Sequence, residues 1–114
     1  MEAPPRVLEL VVFKLNDGVS RDEFLATNDP VSTWISRQPG FISRDLSFDA
    51  EGDRWIDVIW WESLEDAGAV AELALSSESC APMFALIDME SMLMLHGVPA
   101  IDPVRAATAA LVSP

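Results

Sequence analysis

Three ionisable side chains interrupt apolar runs in this chain: Glu9 in RVLELVVFKL, Asp57 in RWIDVIWW and His96 in SMLMLHGV. When buried, such groups lose hydration, which costs free energy unless they are paired and moves their pKa toward the neutral form. Two outcomes follow. Paired with one another, or with a cation such as Arg44, they make a structural network of hydrogen bonds. Held at the wall of a cavity, one of them becomes a general base. Trp55, Trp60 and Trp61 crowd around Asp57, so these rings either fill a core or wall the pocket in which that base works.

Composition narrows the partners. The net charge is −12, from 19 acidic and seven basic residues, which repels polyanions and anionic membrane surfaces. No nucleic acid and no membrane is expected as a partner. There is no GxGxxG and no GK[ST] phosphate cradle. Cys80 and His96 are each single, which rules out an intrachain disulfide and any thiolate or multi-histidine metal site built from one chain. The N-terminal residues lack a basic segment followed by a long apolar one, and no apolar run approaches the ~20 residues that span a bilayer. With one thiol, these features predict a cytoplasmic protein. The 114 residues, half of them apolar, predict one domain over 1–98 and a tail over 99–114.

The elements that would carry the three groups are legible from periodicity. Residues 6–15 read as a strand bounded by Pro5 and the turn residues Asn16, Asp17 and Gly18. Ser20 and Glu23 make a capping box before a helix carrying Phe24, Leu25, Val31, Trp34 and Ile35. Pro30 should kink that helix, or restart it with Asp29 as the cap. Residues 41–49 alternate as a second strand, DAEGD over 49–53 is a hairpin loop, and 54–61 form a third strand. Ser63 caps a second helix with Asp66 three residues on, residues 78–88 hold a short helical turn, and 91–98 make a fourth strand. The tail has Ala-rich helical character between prolines. The order βαββαβ predicts an α+β, ferredoxin-like fold, one four-stranded antiparallel sheet with both helices on one face.

Two helices cover one face only, so the other should be polar, yet both faces are apolar here. The purely aliphatic set, with Leu8, Leu10, Val12, Ile56, Val58, Trp60, Leu93 and Leu95, is expected beneath the helices. The set with Val11, Phe13, Trp55, Ile59, Trp61, Met92 and Met94, together with Glu9, Asp57 and His96, is expected on the open side. A sheet face so apolar calls for a second copy, giving a homodimer whose two sheets enclose a shared α/β barrel.

VLELVVFKL, QPGF, WIDVIWWESLEDA and CAPMFALID with SMLMLH together resemble the antibiotic biosynthesis monooxygenase-like group of the dimeric α/β-barrel superfamily, over about residues 6–98. In its cofactor-independent members a phenolic or enolisable substrate is deprotonated in the cavity and passes an electron to O2. That resemblance implies His96 as the base, because ordinary imidazole titrates near neutrality, with Asp57 or Glu9 orienting it. It implies Trp61, Trp55 and Phe13 as flanks to a small aromatic or polyketide-like substrate, Met92 and Met94 as adaptable lining, and Arg44 as a further contact. The haem-degrading branch is marked by a histidine on the second helix, where this chain has none, so no cofactor is expected. The chain also has no tyrosine, a donor that some oxygenase pockets use. Two non-catalytic readings of the same fold stand beside the enzyme: a protein that binds a small apolar ligand, and a structural homodimer with a filled barrel.

Overall fold

The computed structural model describes residues 6–107. β1 (Val7–Leu15) leads into α1 (Arg21–Leu25) and α2 (Asn28–Ser36), followed by β2 (Phe41–Asp49), β3 (Arg54–Trp61), α3 (Leu64–Ala74), α4 (Ala81–Phe84) and β4 (Ile87–Gly97). The strands form one antiparallel sheet in the order β2-β3-β1-β4. This is the ferredoxin-like βαββαβ arrangement, with all helices on one face.

Local chemistry sets the helix ends. Ser20 Oγ accepts from the Glu23 amide at 3.0 Å and Ser63 Oγ from the Asp66 amide at 3.0 Å, as their capping patterns predict. The break in the first helix comes earlier than Pro30 suggests. Thr27 occupies the cap position of α2, and Pro30 sits in its first turn, where a missing amide proton has nothing to lose. Gly40 follows with φ 80°, and a Cβ there would collide with the Asp66 side chain, so only glycine lets the end of α2 pass this close to α3. Strand β4 starts at Ile87, earlier than its periodicity indicates, because a bulge interrupts its pairing with β1 between Val12 and Lys14. Ser91 Oγ takes the Lys14 amide at 2.8 Å and closes the gap. Residues 99–107 carry no helix and are exposed; the rest of the Ala-rich tail lies outside the described residues.

The two sheet faces are reversed relative to the sequence expectation. Val7, Glu9, Val11 and Phe13 of β1 lie beside Trp61, Ile59, Asp57 and Trp55 of β3, and all eight are buried beneath α1, α2 and α3. Arg44, Leu46 and Phe48 of β2 and Met94 and His96 of β4 share this face by register. The aliphatic set with Trp60 is the open face instead, where the Arg6 guanidinium lies 4.5 Å over the Trp60 ring. Volume is the physical reason. The layer between helices and sheet is deep enough to take Phe13, Trp55 and Trp61, which interlock with Phe24, Phe48 and Phe41 at centroid separations of 4.7–5.8 Å, whereas short aliphatic side chains leave a flat surface.

Phe24 is fully buried and touches both Phe13 and Trp55. Phe24→Ala should cost about 3–5 kcal/mol in urea unfolding; a loss below about 1 kcal/mol would mean that α1 is not docked on the sheet.

Candidate functional site

The covered core splits into two clusters. One gathers Val11, Phe13, Phe24, Val31, Trp55, Cys80, Met83 and Ile87; the other gathers Val7, Ile35, Ile59, Trp61, Ala67 and Val70, and Trp34 packs against both. Along their seam lies a cavity of about 100 Å³ between sheet and helices. Its walls include Phe13, Trp34, Ile35, Trp61 and Val70, and three charged residues reach it: Glu9, Arg44 and Asp57. Four of the five methionines line it, Met83, Met89, Met92 and Met94. Leu75, Met89 and Met94 are also partly open to solvent, which puts the mouth between the end of α3 and edge strand β4. A second concavity, of about 340 Å³, lies beside Lys14, Asp17 and Arg21. Trp55 is its single buried lining residue, so it is a shallow polar surface rather than a chamber.

Arg44 and Asp57 make a closed ion pair at one side of the cavity. Arg44 Nη2 donates to Asp57 Oδ2 at 2.9 Å, and Nε to both carboxylate oxygens at 3.1 Å. Nη1 donates to Asn28 Oδ1 at 2.7 Å and to Ser32 Oγ at 3.0 Å. The guanidinium therefore straps α2 to β2 and β3. Burial pushes the Asp57 carboxyl up, against the pull of Arg44. With its oxygens engaged in this way, Asp57 holds the cavity wall in place and does not contact His96.

The second pair is Glu9 with His96. Directly opposed across β1 and β4, they bring His96 Nε2 within 3.0 Å of Glu9 Oε1. Glu9 faces the cavity with a side chain 6% exposed, while His96 stands outside the lining, 26% exposed. Burial raises the Glu9 pKa; the His96 hydrogen bond and charge oppose the shift, and the Asp57 charge adds to it. Trp61 Nε1 is the buried side-chain polar atom with no hydrogen-bond partner among the described residues. Its hydrogen is close enough to Glu9 to favour the carboxylate slightly, yet falls short of hydrogen-bond geometry. An unpaired buried N–H costs about 1–3 kcal/mol, and Trp61 is one of the residues that line the cavity.

The sequence-derived site is thus brought together, but in a different chamber and with different partners. Glu9, Asp57, Arg44, Trp61, Phe13, Met92 and Met94 all line the cavity under the helices, not a chamber between two sheets. His96 adjoins the cavity through Glu9. Trp55 is not a wall of it: the ring packs between Phe24 and Phe48 at 4.7 and 4.9 Å. Asn28 and Ser32 were not anticipated. Their i, i+4 spacing, on the face of α2 that also carries the buried Val31 and Ile35, was the available signal. Met89 escaped notice because the bulge of β4 lies outside simple alternation. Cys80 also lines the cavity, with its thiol pushed up by burial, which leaves it a poor nucleophile. Among the described residues no group of three or more His, Cys, Asp or Glu is placed to hold a metal ion, and no helix is long and apolar enough to cross a membrane.

No protein-family model and no curated protein matches the sequence. Solved structures do match its fold. SnoaB, a cofactor-independent oxygenase from Streptomyces nogalater, is similar at 17% identity and TM-score 0.59, over 88% of this chain and 96% of its own. The monooxygenase ActVA-Orf6 of Streptomyces coelicolor, solved with nanaomycin D, is similar at 17% identity and TM-score 0.63, over 90% of this chain and 95% of its own. A dimeric ferredoxin-like protein of unknown function from Thermobifida fusca YX is similar at 12% identity and TM-score 0.66, over 83% of this chain and 92% of its own. The neighbours are antibiotic biosynthesis monooxygenase-type, ferredoxin-like proteins, and at these identities the likeness is one of fold.

The Glu9 environment carries a pH signature. A carboxyl with a raised folded pKa adds stability below its ordinary value of 4.5 and loses it as pH rises through the folded value. Glu9→Gln removes that dependence. Relative to the parent, the variant should gain thermal stability over the interval above pH 4.5, the ordinary carboxyl value. A relative loss over that interval would mean that the ionised carboxylate is the form the fold favours.

Proposed function

We propose that this chain is a cofactor-independent, oxygenase-like catalyst that takes a small neutral ring compound with an acidic C–H or O–H into the cavity beneath its helices. The observation that carries this reading is the pairing, at one empty apolar space, of a buried carboxylate with an unpartnered indole N–H. Glu9 is the proton acceptor that touches the ligand, and His96 stands behind it. Trp61 Nε1–H meets the oxygen on which charge develops, where a preformed donor in a dry site stabilises an enolate or phenolate. The anion passes an electron to O2, the radical pair combines to a peroxide, and water is eliminated. For an activated methylene the sum is one methylene and one O2 giving one carbonyl and one water, with all four electrons supplied by the carbon.

The ligand is small or enters only in part. Drug-sized ligands occupy pockets of about 300–1,000 Å³, and the resting cavity is near 100 Å³. Methionine side chains have three soft torsions and move aside at low cost, so a ring can seat its reactive edge against Glu9 and Trp61 while its remainder lies among Met89, Met94 and Leu75. The same small volume favours a second reading, in which the chain binds an apolar ligand without turning it over.

The open face supports a homodimer. Leu8, Leu10, Val12, Ile56 and Val58 make a continuous apolar band, extended onto β4 by Leu93 and Leu95, which are 53% and 51% exposed. Two such faces packed together would bury that surface, and the catalytic cavity lies on the opposite side of each sheet.

O2 uptake with a panel running from 2-tetralone to naphthalene-1,4-diol tests the enzyme. Turnover of at least one compound is expected, with Glu9→Gln lowering kcat by about 10²–10⁴-fold while the compound still binds. Binding without O2 uptake would select the non-catalytic reading; no binding at all would sink both. In light scattering the parent should have twice the chain mass, and Leu10→Glu with Val58→Glu should halve it; a monomeric parent would refute the sheet-to-sheet dimer.

A further inference from the structure

The proton acceptor in the cavity and the partly exposed imidazole beside it form a line from inside to outside. Glu9 lines the cavity and is almost wholly buried; His96 does not line it, lies 3.0 Å from Glu9 Oε1 through Nε2, and is 26% exposed on the edge strand. We infer that Glu9 and His96 are a proton relay, in which the ligand's proton passes to Glu9, then to His96 Nε2, and leaves to water from Nδ1. The inference rests on the reading of Glu9 as the acceptor that touches the ligand, and it assigns His96 a positioning and relay role rather than direct contact.

The relay answers a specific problem. A proton left on Glu9 sits beside the anion it came from and returns to it before O2 arrives. Passing it one residue outward separates the charges and restores the carboxylate. The transfer balances: the ligand O–H or C–H bond breaks and a Glu9 O–H forms; that bond breaks and Nε2–H forms; the Nδ1–H proton goes to water, leaving neutral imidazole. The peroxide later takes one proton back by the reverse path, so turnover is proton-neutral overall.

The surroundings suit this use. The other charged groups near Glu9 are Asp57 on β3 and the Arg44 of β2 that neutralises it. The helices contribute apolar side chains at this wall: Val31, Trp34 and Ile35 from α2, and Val70, Ala71 and Ala74 from α3. Glu9 therefore has one proton-accepting neighbour with a route to solvent. Burial raises the pKa of Glu9 above its ordinary value, so its carboxyl can hold a proton as well as release it.

His96 is the only histidine in the chain, so its ring Hε1 gives a single NMR signal in the intact protein. Glu9→Gln should lower the pH at which that signal titrates, by about half a unit or more; an unchanged titration would overturn the relay. With whichever panel compound is consumed, His96→Ala should lower kcat about tenfold or more at unchanged ligand affinity, and free imidazole should restore part of it. His96→Gln keeps a donor to Glu9 but cannot pass a proton on, so it should stay as slow as His96→Ala. If His96→Gln recovers the parent rate and pH profile, or if His96→Ala loses less than twofold, the relay is wrong while the assignment of Glu9 stands. If Glu9→Gln turns over normally, the acceptor itself is wrong. Should the parent consume no compound, the enzymatic reading fails, and the NMR titration alone decides whether the two residues share a proton.

Discussion

Charge burial under the helices is the constraint around which this fold is arranged. Arg44 and Asp57 lie in the layer where a small α+β domain normally keeps only apolar side chains, with side chains 6% and 12% exposed. A buried pair survives desolvation only when nearly every donor and oxygen is engaged. Asp57 alone cannot engage the whole guanidinium, so Asn28 and Ser32 on α2 take the remaining Nη1 donors. The helix is thereby held to two strands at a fixed distance. That distance matters, because α2 also presents Val31, Trp34 and Ile35 to the cavity. The polar strap and the apolar contacts of Val31, Trp34 and Ile35 together fix α2 above the space between the two core clusters.

The two ionisable pairs at that space differ in kind. Every nitrogen of the Arg44 guanidinium and both Asp57 oxygens are engaged, so the pair is held in place. Glu9 has His96 on one side and empty space on the other, with the unpaired Trp61 N–H nearby. A buried polar group short of a partner at a cavity wall can be completed by a ligand or by water. Electrostatics, more than the presence of carboxylates, separates the candidate reacting group from the candidate structural one.

The tertiary arrangement also puts the candidate site and the open apolar face on opposite sides of the sheet. With the aromatic and ionisable set under the helices, the open sheet face is left to aliphatic side chains and Trp60, while β2 contributes Ser43, Asp45 and Ser47 to the same face. The polar edge limits the apolar band to the three strands β3, β1 and β4. A partner docked there approaches the cavity through the backbone of the sheet and not through the site residues.

Much of the fold was legible in the sequence. Capping residues Ser20 and Ser63, the alternation of 41–49 and the hairpin before Arg54 are local signals, and local hydrogen bonding made them good within a residue or two. The membership of each sheet face also followed from period-two spacing, which is why Glu9, Asp57 and His96 were placed together. Which face the helices cover did not follow, because both faces are apolar and alternation carries no sign. Ring volume decided it, together with hydrogen bonds from α2 that no strand pattern encodes. Pairing was likewise settled in three dimensions: register set Glu9 against His96 across β1 and β4, and the reach of Arg44 from β2 took Asp57 out of contention. Sequence periodicity determined which residues share a surface; the depth of the helix-covered layer and the partners available within it decided what that surface does.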